Sequence, residues 1–170
     1  DDRGLVLPPK LAPDQVVVIP ISKSAEISSK LTSAVADIKF KLRRWRVEVD
    51  TRDSQSVGWK FNEWELKGVP LRIEIGEREL ASGNVILVRR DTGEKSTVKQ
   101  REISQAVADS LKEIQDNLFA KHSQFLQENT FEINNYGEFK KRMASTRGFL
   151  KAFWCENPDC ERSIKLETKA

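Results

Sequence analysis

The chain is poor in the residues that most often carry catalysis. Its 170 residues include one histidine, two cysteines, one methionine and one tyrosine. There is no G-x-x-x-x-G-K-[ST] phosphate loop, no G-x-S-x-G nucleophile turn and no H-E-x-x-H pair, and His122 has no motif around it. No catalytic residue is therefore assigned. No run of 18 or more apolar residues occurs, and the start, "DDRGLVLPPK", is neither a basic leader nor an arginine-rich presequence. The pattern is that of a protein neither secreted nor membrane-spanning. Cys155 and Cys160 are too few and too close in sequence for a disulfide framework, which points to a reducing, cytoplasmic compartment. The single methionine, Met143, is far from the first residue, so the chain reads as a piece of something longer.

What is present is a mildly basic, mixed α/β pattern. Lysine and arginine number 29 against 26 acidic residues, a net charge of +3, which permits a polyanionic partner without demanding one. Pro8, Pro9 and Pro13 forbid a helix at the start and predict an extended leading segment. "QVVVIPI" is a β-branched run suited to a strand buried on both faces and ended by Pro20. Ser22 or Ser24 is placed to cap a helix running to about Arg44, with Ile27, Leu31, Ala34, Ile38, Leu42 and Trp45 at steps of three and four.

Further on, "RVEVDT" and "PLRIEIG" alternate as half-buried strands, and "VGWKFNEWELKG" between them predicts a short helix stopped by Gly68. "ERELASG" is a helical turn, and "NVILVRRDTGEKSTV" is a hairpin around Asp-Thr-Gly. A long amphipathic helix follows from Arg101 to about Asn129, on Ile103, Val107, Leu111, Ile114, Leu118 and Phe125. Strands alternating with helices, plus a hairpin, predict an α/β domain over 12 to 118 with a mixed sheet flanked by helices. Residues 119–170, with "YGEFKKRMAS" as a helix and "GFLKAFWC" as a strand, read as the start of a second small unit.

Three clusters bear on function. "KFKLRRWR", residues 39–46, has five cations in eight positions; it suits phosphate contact, and it equally suits a solvated helix end in which Lys39, Arg43 and Arg46 complement the helix dipole. In residues 58–76, Trp59 and Trp64 are expected under the helix and Phe61 exposed. An exposed ring beside Glu65, Arg72, Arg78 and Glu79 offers stacking for an unpaired base, with acids to accept from guanine N1 and N2 and guanidinium groups to donate to O6 and N7. Cys155-x4-Cys160 is half of a zinc site, since structural zinc takes four ligands.

The succession "DDRGLVLPPKLAPDQVVVIPI", "GWKFNEWELKGVPLRIEIGERELASGNVILVRRDTGEK" and "FWCENPDCERSIKLETKA" resembles the C-terminal part of the archaeal and eukaryotic-like prolyl-tRNA synthetases, across essentially the whole chain. The resemblance implies that residues 1–11 are the tail of a class II aminoacylation domain and 12–118 an anticodon-binding domain with a mainly five-stranded mixed sheet. Residues 119–170 would be an incomplete α+β zinc-binding-like domain. It implies that Phe61 stacks on an anticodon base, that Glu65 and Arg72 read guanine edges, and that Arg78 and Glu79 stand where the family carries a basic and then an acidic residue.

Here Gly76 is followed by Glu77 where proline is common. Cys155 and Cys160 match the family's first zinc pair; the second pair would lie beyond Ala170. The implied partner is proline tRNA, with ATP and Mg²⁺ used by a catalytic core outside this chain. That core would also make the parent a homodimer and leave this portion monomeric. The rival readings are a stand-alone RNA-binding adaptor and a zinc-stabilised protein-interaction domain.

Overall fold

The structure is a computed structural model describing residues 4–22, 29–145 and 148–169. It divides into two compact units, Asp1–Leu118 and Phe119–Ala170, the division falling inside the long fourth helix.

The first unit is built on a five-stranded sheet in the order β2-β1-β3-β4-β5, with β1 Val16–Ile21, β2 Val47–Val49, β3 Leu71–Gly76, β4 Asn84–Arg89 and β5 Lys95–Lys99. β1 runs parallel to both β2 and β3, while β4 and β5 form the antiparallel hairpin. Pro20 does not end β1, as its sequence suggested, but pairs with Ile75 inside it. The reason is directional. Val16 N–H donates to Arg46 O and Val18 O accepts from Asp50 N, so residues 16, 18 and 20 turn their polar groups toward β2. β2 stops at Val49, and the donor that proline lacks has no strand to meet.

Each face of the sheet buries its own cluster. Val16, Val18, Leu71, Ile73 and Leu87 pack under α1 (Ser29–Lys41) and α4 (Ile103–Glu128), which contribute Leu31, Val35 and Ile38, and Ile103, Val107, Leu111, Ile114 and Leu118. On the opposite face Val17 and Ile19 pack with Val69 and with Trp64 and Phe61 of α2 (Val57–Leu66). The expected caps and positions at Ser24 and Ile27 lie outside the described residues, and α1 ends at Lys41 rather than Arg44. β3 is buried at every position instead of half-buried, because it is the middle strand and both faces are covered at its level.

Local chemistry fixes the joints. Ser56 Oγ accepts from Trp59 N at 3.3 Å to start α2, and Gly68 follows its end with φ of 75°. A β-carbon at Gly68 would lie 2.7 Å from that of Leu5, so glycine lets the leading segment pass close by. That segment is further held by Arg46, whose guanidinium donates to the carbonyls of Pro9, Ala12 and Pro13 at 2.7–3.1 Å. α3 (Glu77–Ala81) follows β3 directly.

The second unit, taken alone, has two parallel strands, β6 Thr130–Ile133 and β7 Phe149–Ala152, joined through α5 (Tyr136–Ala144), and then α6 (Pro158–Thr168). "GFLKAFWC" is a strand only to Ala152. Phe125 continues the spacing of the buried α4 positions but is exposed, since the buried stripe ends at Leu118.

Candidate nucleic-acid interface

Alternation along β3 sends Leu71, Ile73 and Ile75 to the face under α1 and α4, and Arg72 and Glu74 to the face that carries α2. Register then fixes their neighbours: Val17 and Val88 flank Arg72, Ile19 and Ile86 flank Glu74, and Lys95 and Thr97 lie one strand further out. α2 packs over β1 on this face and reaches β3 through Phe61 and Glu65. Beyond it Lys95 and Thr97 are exposed, and a cleft of about 410 Å³ opens, lined by Glu65, Arg72, Val88, Arg90, Asp91 and Lys95 among others.

Arg72 forms the wall of the cleft. Its guanidinium carbon sits 4.0 Å from the centroid of the Phe61 ring, Nη1 donates to Glu65 Oε1 at 2.7 Å, and Nε donates to Glu74 Oε1 at 3.0 Å. The same Glu74 oxygen lies 3.6 Å from Lys95 Nζ. Arg72 and Glu74 are only 8% and 5% exposed, so their mutual pairing is desolvated and stronger than a surface pair, while Glu65 and Lys95 stay open to solvent. Arg72 Nη2 has no hydrogen-bond partner among the described residues.

Two positions in α2 depart from the sequence expectation. Trp64 is buried at 7% exposure, but Trp59 stands in solvent at 44%, and Phe61 is half-buried rather than exposed. Helical geometry explains the exchange: residues three apart lie about 60° apart around the axis, whereas five apart lie about 140° apart, so Trp64 shares its face with Phe61 and not with Trp59. The Trp59 ring instead lies 5.1 Å from the Arg52 guanidinium.

The sequence reading also missed a second buried cluster at the base of α2. Asp50, 3% exposed, accepts from Trp64 Nε1 at 2.8 Å, from Arg52 Nε at 2.9 Å and from Arg52 Nη2 at 2.6 Å, with buried Lys60 Nζ 3.9 Å away. Arg52 also pairs with Glu63. Burial alone would raise the Asp50 carboxyl, but the hydrogen bonds from Arg52 and Trp64 outweigh it and hold the group down at about 2. Asp50 thereby ties the end of β2 to the helix that bears Phe61 and Glu65.

The hairpin is braced in the same way. Arg89 makes paired bonds to Asp91 and reaches Glu113 of α4 at 2.7 Å, while Asn117 donates to Asp91 at 2.7 Å. Burial opposes the Asp91 charge, yet Arg89 and Asn117 keep its carboxyl below the usual range. The turn that carries Arg90 into the cleft is thus fixed against a long helix.

The structure brings Phe61, Glu65 and Arg72 together, and adds Glu74 and Lys95, which the sequence reading left out. Arg78 and Glu79 do not line this cleft. They stand on α3 at the end of β3, where Glu79 Oε2 accepts from Gly76 N at 3.0 Å and closes the start of the helix, while Arg78 is exposed and makes no ion pair among the described residues. In the 39–46 cluster, Arg43 and Arg44 lie over the rings of Phe40 and Trp45 at 4.5 and 3.9 Å, and Arg46 is committed to the leading segment.

Cys155 and Cys160 are exposed free thiols near the start of α6. Among the described residues no group of three or more histidine, cysteine or acidic side chains is placed to hold a metal. His122 is exposed on α4. A cavity of about 460 Å³ in the second unit is walled mostly by apolar side chains such as Ile133, Phe139, Phe153 and Ile164. No helix among the described residues is long and apolar enough to cross a membrane.

Comparison with known proteins identifies the family of the chain. Residues 15–110 match the model of the family described as "Anticodon binding domain". The chain is 46% identical over 174 residues to the proline-tRNA ligase of Cytophaga hutchinsonii and 42% identical over 171 residues to proline-tRNA ligase 2 of Clostridioides difficile. Each alignment takes in all of this chain but 35% of the relative. Among solved structures, the prolyl-tRNA synthetase from Cryptosporidium parvum complexed with L-proline and AMP superposes with a TM-score of 0.88 at 34% identity, over 99% of this chain and 36% of that one. The chain spans about a third of the length of these relatives, and over most of the five-stranded unit it belongs to the anticodon binding domain family, in the form found in proline-tRNA ligases.

Proposed function

We propose that this chain is the anticodon-reading portion of a proline-tRNA ligase and that its ligand is proline tRNA, held so that a catalytic core elsewhere in the parent attaches proline with ATP and Mg²⁺. The observation that carries the reading is the cleft beside α2. Its Arg72 guanidinium is backed by an aromatic ring, pinned between two carboxylates, and open on Nη2. Phe61 with the guanidinium on it is the stacking platform for an anticodon base. Glu65 accepts from the N1 and N2 hydrogens of guanine, and Arg72 with Lys95 donates to acceptors on the base edge.

Arg78, projecting from α3, meets a neighbouring base or phosphate, and Glu79 orients the start of that helix. Residues 12–118 constitute the anticodon-binding domain, and 119–170 are the start of the C-terminal domain, whose zinc site needs ligands beyond Cys155 and Cys160. The parent acts in the cytoplasm as a homodimer through its core. Alignment of the whole chain with ligases at 40–46% identity favours this reading over a free-standing adaptor.

The test is a binding titration of the chain with proline tRNA and with a tRNA in which both anticodon guanines are replaced, at one fixed low salt concentration. A preference of about 1 to 3 kcal/mol per guanine is expected. Equal affinity for the two would reduce the cleft to a basic surface and remove the assignment.

A further inference from the structure

Buried Glu74 is one of the two carboxylates that pin Arg72, and two of the cleft's cations converge on one of its oxygens. Its Oε1 receives Arg72 Nε at 3.0 Å and faces Lys95 Nζ at 3.6 Å, and the residue is 5% exposed in the middle strand of the sheet. Its register neighbours are Ile19 and Ile86, so the strands beside it offer its carboxylate no polar side chain, and its side-chain partners are Arg72 and Lys95. What the carboxylate does is geometric. An arginine has five N–H donors in one plane, and fixing Nε to Glu74 while Nη1 is fixed to Glu65 constrains the orientation of the guanidinium, with its carbon 4.0 Å from the Phe61 ring centroid and Nη2 making no hydrogen bond among the described residues.

We infer that Glu74 is a positioning residue for base recognition: from beneath the cleft it sets the plane and the free edge of Arg72, and draws the Lys95 ammonium toward the same ligand edge. This rests on the assignment of the cleft to an anticodon base. Glu74 touches no ligand itself. It fixes the donors in advance, so that the discriminating hydrogen bonds form without first ordering a mobile side chain. Without it, Arg72 keeps its pairing with Glu65 and its place on the ring but turns about them, and the cleft still attracts RNA through its charge. Discrimination between bases should fall while the phosphate-driven part of binding persists.

The experiment compares the chain with its Glu74→Gln variant, each titrated with proline tRNA and with tRNAs carrying single replacements of the anticodon guanines. The unaltered chain is expected to prefer the guanine-bearing tRNA by more than about fivefold per base. In E74Q that ratio is expected to drop below about threefold, with affinity for the replaced tRNAs within about twofold of the unaltered chain. A variant that keeps the full ratio overturns the inference and leaves the cleft assignment standing. If the unaltered chain shows no preference, both fall together. A readout without any substitution guards against misfolding of the variant: the Arg72 Nε proton, observed by nitrogen-15 NMR in the RNA-free chain, should exchange with solvent at least about tenfold more slowly than those of exposed Arg43 and Arg78. Equally fast exchange would show that Glu74 does not hold the guanidinium and would overturn the inference.

Discussion

Asp50 shows how much of this domain's electrostatics is structural. Its carboxyl accepts from Arg52 and Trp64 and lies in a site that solvent barely reaches, so the negative charge is held at about 2 against an ordinary 3.8. A carboxyl whose folded value is depressed contributes stability above its unfolded value, and that contribution disappears as pH falls through the folded one. The window therefore runs from about pH 4 down to about pH 2, and the contribution is on the order of 2 kcal/mol. Asp50→Asn should lower stability near neutral pH by about 3 kcal/mol, because it leaves Lys60 and Arg52 facing a neutral group. Urea unfolding of both proteins at pH 7 and again at pH 2.5 checks this: the gap between them should narrow by more than half at the lower pH. A gap that stays constant would mean that the charge of Asp50 is not what the network uses.

At the scale of elements, most of the first unit was legible because its signals are local. The hairpin around Asp-Thr-Gly, the stop at Gly68 and the three-four spacing of α4 each specify their element without help from the rest of the chain. What was not legible depends on neighbours. β3 alternates like a half-buried strand, and only its place in the middle of the sheet makes Arg72 and Glu74 buried. Lys95 enters the site through hairpin register, which no linear pattern displays. In the second unit, β6 and α6 went unassigned because neither carries a periodic apolar stripe; α6 has no buried residue at all. The orientation of α2 was misjudged by counting aromatics rather than angles, and substitution tests the corrected face. Trp64→Ala should cost about 3 kcal/mol, losing both its packing and its bond to Asp50, whereas Trp59→Ala should change stability by less than about 0.5 kcal/mol. Chemical denaturation of the two variants measures the contrast, and equal losses would restore Trp59 to the core.

Across the whole molecule, the two units differ in how much apolar surface they hide, and that difference sets how each resists opening. The first unit encloses two clusters, with strands such as β1 and β3 fully or almost fully buried. In the second, only Ile133 is buried among the described residues, α5 and α6 bury none, and Phe149, Phe153 and Trp154 stand exposed. Local opening costs little where few apolar contacts are broken, so backbone amides of the second unit should exchange from low-lying open states while those of β1 and β3 wait for global unfolding. Native-state hydrogen exchange on the intact chain is expected to show protection in β6, β7, α5 and α6 at least about a hundredfold below that of β3, a gap of about 3 kcal/mol. This bears on function as well as stability. Phe61, Glu65, Arg72 and Glu74 all belong to the protected unit, so the geometry of the cleft should survive opening of the other. Protection lost from β3 and α6 together would instead show that the chain opens as one cooperative body, with the shape of the cleft depending on the second unit.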